Sequence, residues 1–450
     1  MPILRSWRPE QSRHPMSMRF RTDIYTAEIP GLIERMLGIT GPEPWVKRLE
    51  WLDRELAENP YMEGWLKDRF GLEFALQRWL VSAEQGMVSD ARPDADTYEL
   101  LAFATGVASI HPRLSAKAQK RFRGQLLDGL KSDTGLLPLQ LEVTTITHLV
   151  RGGYAVEVHD LEAGGGFDFL ATKGGQEVEV ECKMLSGDIG RQIHKRPYAK
   201  LCQRLTPVLE RVFEAASTGL LVRITLPGRL TQAPQQHEAI VQAAATGLVG
   251  GGIVTDACTV RLYEFEIASS PFAAGLDARQ RMQDVQSFVA KLAGSSGNSN
   301  LMMMVSPGER AVVLLLDSCQ PDEVLKGIRR QLRDACVDQM TGTRPGCVVV
   351  AFHDMADEQI LSLARSDSSA RSVATGLQIM TSDLLQSVSR AHVHSVAYKG
   401  RGRLESPEEN SFMGQGHAYV VKNEWHPLAD DPRCNLFESA KVASRLAMPT

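Results

Sequence analysis

The N-terminal part of the chain carries apolar residues at helical spacing. Trp45, Leu49 and Leu52 lie three or four positions apart, and Phe70 and Phe74 repeat that spacing. Apolar residues that recur in this way line one face of an α-helix. Proline and glycine residues divide the pattern into separate segments. We therefore expect residues 23–130 to form a helical region, and the arginine-rich residues 1–22 to form a disordered basic tail.

Between residues 131 and 228 the pattern changes to short strands joined by glycine turns. Pro138 opens a predicted helix, Leu137–Arg151, and Gly152 closes it, which is the usual asymmetry of helix ends. The elements predicted after it are three strands, a helix interrupted near Pro207, and a fourth strand: Tyr154–Val158, Phe167–Ala171, Glu177–Lys183, Ile189–Ala216 and Gly219–Leu226. The predicted order is therefore α-β-β-β-α-β.

After residue 228 strand and helix patterns continue to alternate, so the rest of the chain is also predicted to be α/β. The segment 294–299, Gly-Ser-Ser-Gly-Asn-Ser, has the composition of a flexible linker. We expect an α/β extension over residues 229–297 and a C-terminal α/β region over residues 298–450. The latter includes an apolar strand at Cys347–Phe352.

Composition and charge exclude several classes of protein. The 450 residues include 50 Lys and Arg against 54 Asp and Glu, a formal net charge of −4. This balance excludes a protein that binds nucleic acid by bulk charge alone, although a local basic face remains compatible with it. No run of about 18 apolar residues occurs, so we expect no membrane association. Seven scattered cysteines without a Cys-x-x-Cys pair predict free, buried thiols in a reducing cytoplasm.

Charged residues on two predicted neighbouring strands form the candidate chemistry. In residues 178–183 the apolar positions alternate with Glu179, Glu181 and Lys183, which therefore share one face of the strand. If the second and third strands pair as a hairpin, Asp168 and Glu181 converge on one face. Glu142 lies at the edge of the apolar stripe of the preceding helix, where it can reach the end of the sheet.

Converging carboxylates without histidine or thiolate favour a hard cation such as Mg²⁺, with Mn²⁺ as a substitute. A hydrated Mg²⁺ can supply the water that attacks a phosphodiester. A neighbouring lysine can orient that water or offset the developing negative charge. The set Glu142, Asp168, Glu181 and Lys183 is therefore sufficient for phosphodiester hydrolysis.

These residues and the order of their elements resemble the PD-(D/E)XK nuclease superfamily, which has the restriction-endonuclease-like fold. The resemblance covers about 90 residues, from Leu137 to Pro227. One departure is Phe167, which precedes Asp168 where the family often has proline. The expected architecture is α/β: a restriction-endonuclease-like αβββαβ core over residues 131–228, with the helical N-terminal region and the α/β C-terminal region as additions.

The resemblance also implies roles for individual residues. Asp168, Glu181 and the backbone carbonyl of Cys182 would bind the metal, Glu142 would bind it through water or hold a second ion, and Lys183 would position the attacking water. The implied activity is that of a Mg²⁺-dependent endonuclease or exonuclease, with DNA as the preferred substrate. A restriction or anti-phage defence role, with a homodimer or defence proteins as partners, follows from family analogy alone.

The helix predicted after the third strand carries a basic stripe, because Arg196, Lys200 and Arg204 recur every four residues. Together with Arg191, Gln192 and Lys195, these residues are candidates for contacts with nucleic-acid phosphates. A solvated amphipathic helix is the competing interpretation. A similar choice applies to Lys117, Lys120, Arg121 and Arg123, where a solvated helix face is the favoured interpretation.

The alternative function is a catalytically silent nuclease-like scaffold that acts as a nucleic-acid-binding or small-molecule sensor protein. In that case, strand ends near Asp317 and His353 would line a ligand crevice in the C-terminal α/β part. Glu179 shares the face of Glu181 and could replace it by a two-residue shift. We expect instead that Glu179 is a solvated side chain.

Overall fold

The computed structural model describes residues 28–84, 94–273, 278–294, 300–356, 376–401, 403–405, 413–415 and 418–437. The predicted basic tail (1–22) and most of the predicted linker lie outside these residues. The helices, α1 to α13 in chain order, are Ile29–Thr40, Glu43–Glu58, Glu63–Arg69, Gly71–Glu84, Ala95–Ile110, Ala116–Gly129, Leu137–Arg151, His159–Ala163, Lys195–Ala215, Pro234–Gly250, Ala278–Ala293, Val324–Asp334 and Gly376–Leu385.

The strands, β1 to β13, are Ala155–Val158, Phe169–Lys173, Gln176–Leu185, Gly219–Leu226, Ile253–Val254, Thr259–Phe265, Asn300–Ser306, Arg310–Ser318, Gly346–Ala356, Val393–Arg401, Arg403–Glu405, Met413–Gln415 and Ala418–Lys422. Strands β11 and β12 form a two-stranded ribbon. The others form one six-stranded and one five-stranded mixed sheet. The predicted α/β class is therefore confirmed.

Contacts divide the chain into two compact units. The first unit consists of residues 1–50, 68–187 and 328–450, and the second consists of residues 51–67 and 188–327. Each unit contains one of the two large sheets.

The first unit is built on the six-stranded sheet, with strand order β1-β2-β3-β9-β10-β13. Strands β1, β2 and β3 form an antiparallel meander, whereas β9 lies parallel to β3 and β10 lies parallel to β9. Apolar side chains of β2 and β3, such as Phe169 and Val180, share a core with Val143 and Ile146 of α7. This core extends to the N-terminal helices, where Trp45 is also buried. Burial of such side chains is the main favourable term in folding.

The local predictions for this region are confirmed closely. Helix α7 spans the predicted Leu137–Arg151, and the predicted strand Gly219–Leu226 is β4. The two glycine turns adopt positive φ, as at Gly165 (140°) and Gly174 (56°), a backbone region that other residues rarely adopt. Within the described part of residues 23–130, the expected helices are also present.

The predicted arrangement of residues 131–228 is wrong in one respect. β4 does not join the sheet of β1–β3 but lies at the centre of the second sheet, between β6 and β8. The parallel neighbour of β3 is β9, with Glu181 paired to Val348 and Lys183 to Val350. Residues 131–228 therefore belong to both units, because the second unit is inserted between β3 and β9. Parallel strands need a crossover connection, and its length is not fixed by local sequence.

The second unit has strand order β5-β6-β4-β8-β7, in which only the central pair β4–β8 is parallel. Helices α9 and α10 contribute to a core with Val222 and Ile224 of β4. A separate cluster, which includes Val285 and Val289 of α11, packs against Leu221 and the odd-numbered positions of β8. Helix α9 begins at Lys195 rather than at the predicted Ile189, and Pro207 lies inside it.

The chain returns to the first unit through α12. This helix continues into a π-helical turn, Ala335–Gln339, which lies against β3 and β9. The segment that follows contacts the face of β3 opposite α7. Strand β3 is therefore covered on both faces, and this covering determines how far its acidic side chains are exposed to solvent.

Candidate active site

Asp168 lies immediately before β2 and is held against β3. Its Oδ2 atom accepts a 2.6 Å hydrogen bond from the backbone N–H of Cys182. The register of the hairpin pairs Phe169 with Val180, so the next position places Asp168 opposite Glu181. The expected convergence of Asp168 and Glu181 is therefore present, although Asp168 falls outside the strand that was predicted to contain it.

Glu181 and Lys183 lie two residues apart on β3 and form an ion pair. Lys183 Nζ lies 2.7 Å from Glu181 Oε1. Glu181 is almost fully buried, with 2% of its surface exposed, whereas the Lys183 side chain keeps 22%. The second carboxylate oxygen of Glu181, Oε2, is buried and has no hydrogen-bond partner among the described residues. A buried carboxylate oxygen without a partner is costly, and a cation or a hydrogen-bond donor would offset that cost.

Glu142 is half-buried on α7 and belongs to the same electrostatic group. Burial raises its pKa well above the usual range, and the nearby Asp168 is the next cause. Burial and the Glu181 carboxylate raise the pKa of Asp168 to about 8. Burial also raises the pKa of Glu181, with Lys183 acting against this rise. Burial and neighbouring carboxylates thus disfavour ionisation of Glu142 and Asp168, and a bound cation would favour their charged forms.

A fourth carboxylate, Asp160, belongs to this group and was missed in the sequence. It lies on the short helix α8, and its Oδ2 accepts a hydrogen bond from Gln125 Nε2 at 3.3 Å. The backbone N–H groups of His159 and Asp160 both donate to the carbonyl oxygen of Asp168. Burial raises the pKa of Asp160, and its charge contributes to the raised pKa values of Glu142 and Asp168. Its position directly after the first predicted strand was the available signal.

Glu179 is not solvated, so that expectation was wrong. Its exposed surface is 0%, and its carboxylate accepts hydrogen bonds from the N–H (2.9 Å) and the hydroxyl of Thr341. Arg344 Nη1 lies 3.4 Å from it and also pairs, through Nε, with Glu177. Glu179 therefore fastens β3 to the segment before β9. The alternation of apolar and charged residues along β3 predicted one solvated face, and this prediction failed because both faces of β3 are covered.

The six residues proposed to contact nucleic acid lie in or next to α9, in the second unit. Arg191 lies 3.6 Å from Asp322, whose Oδ1 also accepts the backbone N–H of Gln192. The N–H of Lys195 donates to Asp188. The carboxylates, in contrast, belong to the first unit.

The remaining three members of this set occupy the stripe itself. The Arg196 guanidinium lies 5.2 Å from the centre of the Trp65 ring, and Arg204 lies 3.8 Å from Glu238. Lys200 is half-buried between them on the same helix. Part of the stripe is therefore engaged within the second unit.

Asp317 and His353, the two residues of the alternative hypothesis, lie in different sheets. Asp317 lies on β8 of the five-stranded sheet, where Arg223 Nη2 contacts it at 2.6 Å. His353 lies on β9 of the six-stranded sheet, with Nδ1 3.0 Å from the carbonyl oxygen of Leu185.

The donor set of the carboxylate group fits a hard divalent cation. It consists of oxygen ligands, and the buried Glu181 Oε2 is without a partner within the described ranges. As the side chains stand, no group of three or more His, Cys, Asp or Glu residues in the described part of the chain is gathered closely enough to hold a metal ion. The seven cysteines are free thiols, as predicted, and five of them are buried, whereas Cys182 is half-buried and Cys319 is exposed, contrary to expectation.

Comparison of this chain with family models, with curated proteins and with solved structures gives no match. Over the described residues, no helix combines the length and the apolar character needed to cross a bilayer.

Proposed function

We propose that this chain is a metal-dependent phosphodiester hydrolase that acts on nucleic acid, with DNA as the preferred substrate. The observation that carries the proposal is the buried group formed by Asp168, Glu181 and Lys183, beside Glu142. Two facing carboxylates with an ion-paired lysine two residues along the strand provide both cation-binding and proton-handling groups. A buried, mutually destabilised set of this kind is typical of a functional site rather than of a structural ion pair.

In this proposal, Asp168, Glu181 and the Cys182 carbonyl hold Mg²⁺ or Mn²⁺, and Glu142 acts through water or holds a second ion. The bound cation would polarise the phosphoryl group and lower the pKa of a water molecule. The hydrogen bond from Cys182 keeps one Asp168 oxygen fixed and leaves the other oxygen for binding. Lys183 leaves its contact with Glu181 to orient the attacking water and to offset the charge that develops on the phosphoryl oxygens.

The strand arrangement also supports the proposal. The resemblance implies three strands, a helix and a fourth strand in one core. Here β9 occupies the position next to β3, and α12 with its π-helical turn precedes it. The core would thus be formed with the second unit as an insertion. A restriction or anti-phage role and partner defence proteins remain part of the proposal by analogy alone.

The direct experiment compares nucleic-acid cleavage by the wild type, Asp168→Asn and the matched control Glu177→Gln. Plasmid, linear and single-stranded DNA and RNA are incubated with each protein in Mg²⁺ or Mn²⁺, with EDTA as the blank. We expect metal-dependent cleavage by the wild type and the control, and its loss in Asp168→Asn. Equal products from all three proteins would show that the cleavage does not arise at this site.

A further inference from the structure

Next to the carboxylate group, α6 is attached along its length to the short helix α8. At the beginning of α6, the N–H and hydroxyl of Ser115 donate to the Glu162 carboxylate at 3.0 and 2.6 Å. One turn and a half later, Arg121 Nη1 donates to the carbonyl oxygen of Leu161 at 2.6 Å. Further along, Gln125 donates to Asp160. These contacts fix the position of α6 relative to the segment that leads to Asp168.

The segment between α8 and Asp168 consists of three exposed glycines followed by Phe167. Gly164, Gly165 and Gly166 have φ values of 95°, 140° and 94°. A Cβ atom on Gly164 would lie 2.4 Å from the Arg121 guanidinium, whereas a Cβ on Gly165 would meet nothing within 4 Å. The N–H of Gly164 donates to the carbonyl oxygen of Asp160 at 2.8 Å, so the exposed peptide groups of Gly165 and Gly166 are the accessible ones, and they lie just before a candidate metal ligand. Glycine is the residue that allows close approach of a ligand to the backbone.

The adjoining surface of α6 is cationic. The helix carries Lys117, Lys120, Arg121 and Arg123 against one acid, Asp128. Lys117 and Lys120 are exposed, and no carboxylate in the described part of the chain pairs with either. Three other exposed lysines differ in this respect, because Lys47, Lys67 and Lys326 each pair with a glutamate of their own helix or its first turn.

We propose that Lys117, Lys120 and Arg121, together with Gly164–Gly166, form a surface that binds the phosphodiester backbone of the nucleic acid on its way into the carboxylate site. We name it the α6–α8 surface. This inference rests on the proposed function and extends it by naming the substrate-binding residues in the first unit. Lys117 and Lys120, exposed and one helical turn apart, match neighbouring phosphates of a backbone, and Arg121 holds the adjoining glycine segment through the Leu161 carbonyl. The peptide N–H groups of Gly165 and Gly166 can donate to phosphate oxygens. The exposed cations also compensate for the repulsion between phosphates and the four carboxylates nearby.

Binding is tested without cleavage, by fluorescence anisotropy of labelled duplex and single-stranded DNA and RNA oligonucleotides in EDTA. The variants are Lys117→Gln/Lys120→Gln and the control Lys47→Gln/Lys67→Gln, which removes the same charge from exposed helical positions. We expect the first double variant to weaken binding by about tenfold and to reduce the slope of log K against log salt by about 2, one unit for each phosphate contact. The control should stay within about twofold of the wild type.

Equal affinities for the wild type and both double variants would overturn the α6–α8 surface, and so would the absence of oligonucleotide binding by the wild type. Displacement of the oligonucleotide by poly-glutamate at the same charge concentration would also overturn it, because an acidic polypeptide would then bind the surface equally well. Gly165→Ala provides a second test, since it adds one methyl group in open space. This substitution should weaken oligonucleotide binding. The melting temperature should fall only slightly, because the remaining cost is that of placing alanine at the positive φ of this position.

A cleavage assay in Mg²⁺ separates failure of this surface from failure of the proposed function. If the surface is wrong and the function is right, Lys117→Gln/Lys120→Gln cleaves at the wild-type rate at low substrate concentration. If the function is wrong, the wild type does not cleave, whatever the oligonucleotide affinities are.

Discussion

Asp168 accepts its 2.6 Å hydrogen bond from the backbone of Cys182, and not from a side chain. The bond therefore fixes this carboxylate beside Glu181 whatever side chain occupies position 182. It also places two carboxylates side by side where the described residues offer a single nearby ammonium, Lys183. Because this arrangement is unfavourable without a cation, the free energy of unfolding should depend on divalent metal.

Mn²⁺ at millimolar concentration should raise the melting temperature of the wild type by roughly 2–4 °C, because a ligand that binds only the folded state stabilises it. Asp168→Asn should abolish this rise, and Glu177→Gln should retain it. Differential scanning fluorimetry with and without EDTA measures both effects. An equal rise in Asp168→Asn would place the metal elsewhere.

Glu179 should be a structural residue rather than a catalytic one. Glu179→Ala leaves the Thr341 N–H without its acceptor and removes one of the two carboxylates that pair with Arg344, so we expect a loss of about 2–4 kcal/mol in the free energy of unfolding. Glu177→Gln, on the same strand but half-buried, should cost less than about 1 kcal/mol. Urea unfolding gives both values. A loss of cleavage by folded Glu179→Ala, without a loss of stability, would assign Glu179 to the site instead.

Glu73 makes the stability of the first unit fall as the pH rises from about 4.5 to about 7. It is buried, its Oε1 has no described partner, and burial raises its pKa to about 7 despite the nearby Arg48. Since the folded-state pKa exceeds the unfolded value of 4.5, the stability present below pH 4.5 declines as the pH rises and is lost once the pH passes 7. The loss is roughly 3 kcal/mol, from about 1.4 kcal/mol per pKa unit.

Glu73→Gln should remove this decline, so that the variant matches the wild type near pH 4.5 and exceeds its stability at pH 8. The exposed Glu50→Gln serves as the control and should keep the wild-type pH profile. Urea unfolding of the wild type and both variants at four pH values from 4.5 to 8 gives the three pH profiles. A decline that persists in Glu73→Gln would show that another group causes it.

Alanine substitutions at Gly164 and Gly153 distinguish the stability cost of a positive φ from the cost of a steric clash. Both have positive φ, 95° and 81°, but an added Cβ meets the Arg121 guanidinium only at Gly164. We expect Gly153→Ala to cost about 1 kcal/mol from φ alone, and Gly164→Ala to cost roughly 1–2 kcal/mol more, because Arg121 must leave the Leu161 carbonyl. Equal costs in chemical unfolding would mean that Arg121 moves aside freely.

The sequence was sufficient for the elements that local patterns define. The helix α7 and the strand β4 agree with prediction because end residues and periodicity act over a few positions. The parallel neighbour of β3 could not be predicted from such local patterns. Cys347–Phe352 was predicted as a strand, but nothing in its own residues identifies β3, more than 160 positions earlier, as its neighbour.

The candidate site shows the same division. The approach of Asp168 to Glu181 follows from hairpin register, which is local. The burial of Glu179 depends on residues 341–344, and the participation of Asp160 depends on how α8 folds back on α6, so neither could be derived from alternation along one strand. Both are tertiary effects that override a local rule.

The measurement that tests the central claim most directly is the first-order rate constant for nucleic-acid cleavage at saturating Mg²⁺, compared between Lys183→Met and Lys422→Met. Lys422 is an exposed lysine on the edge strand β13, so its replacement removes the same charge away from the carboxylates. The proposed role predicts a loss of about 100-fold or more for Lys183→Met and an unchanged rate for Lys422→Met. Equal rates for the two variants, with both proteins folded, would contradict it.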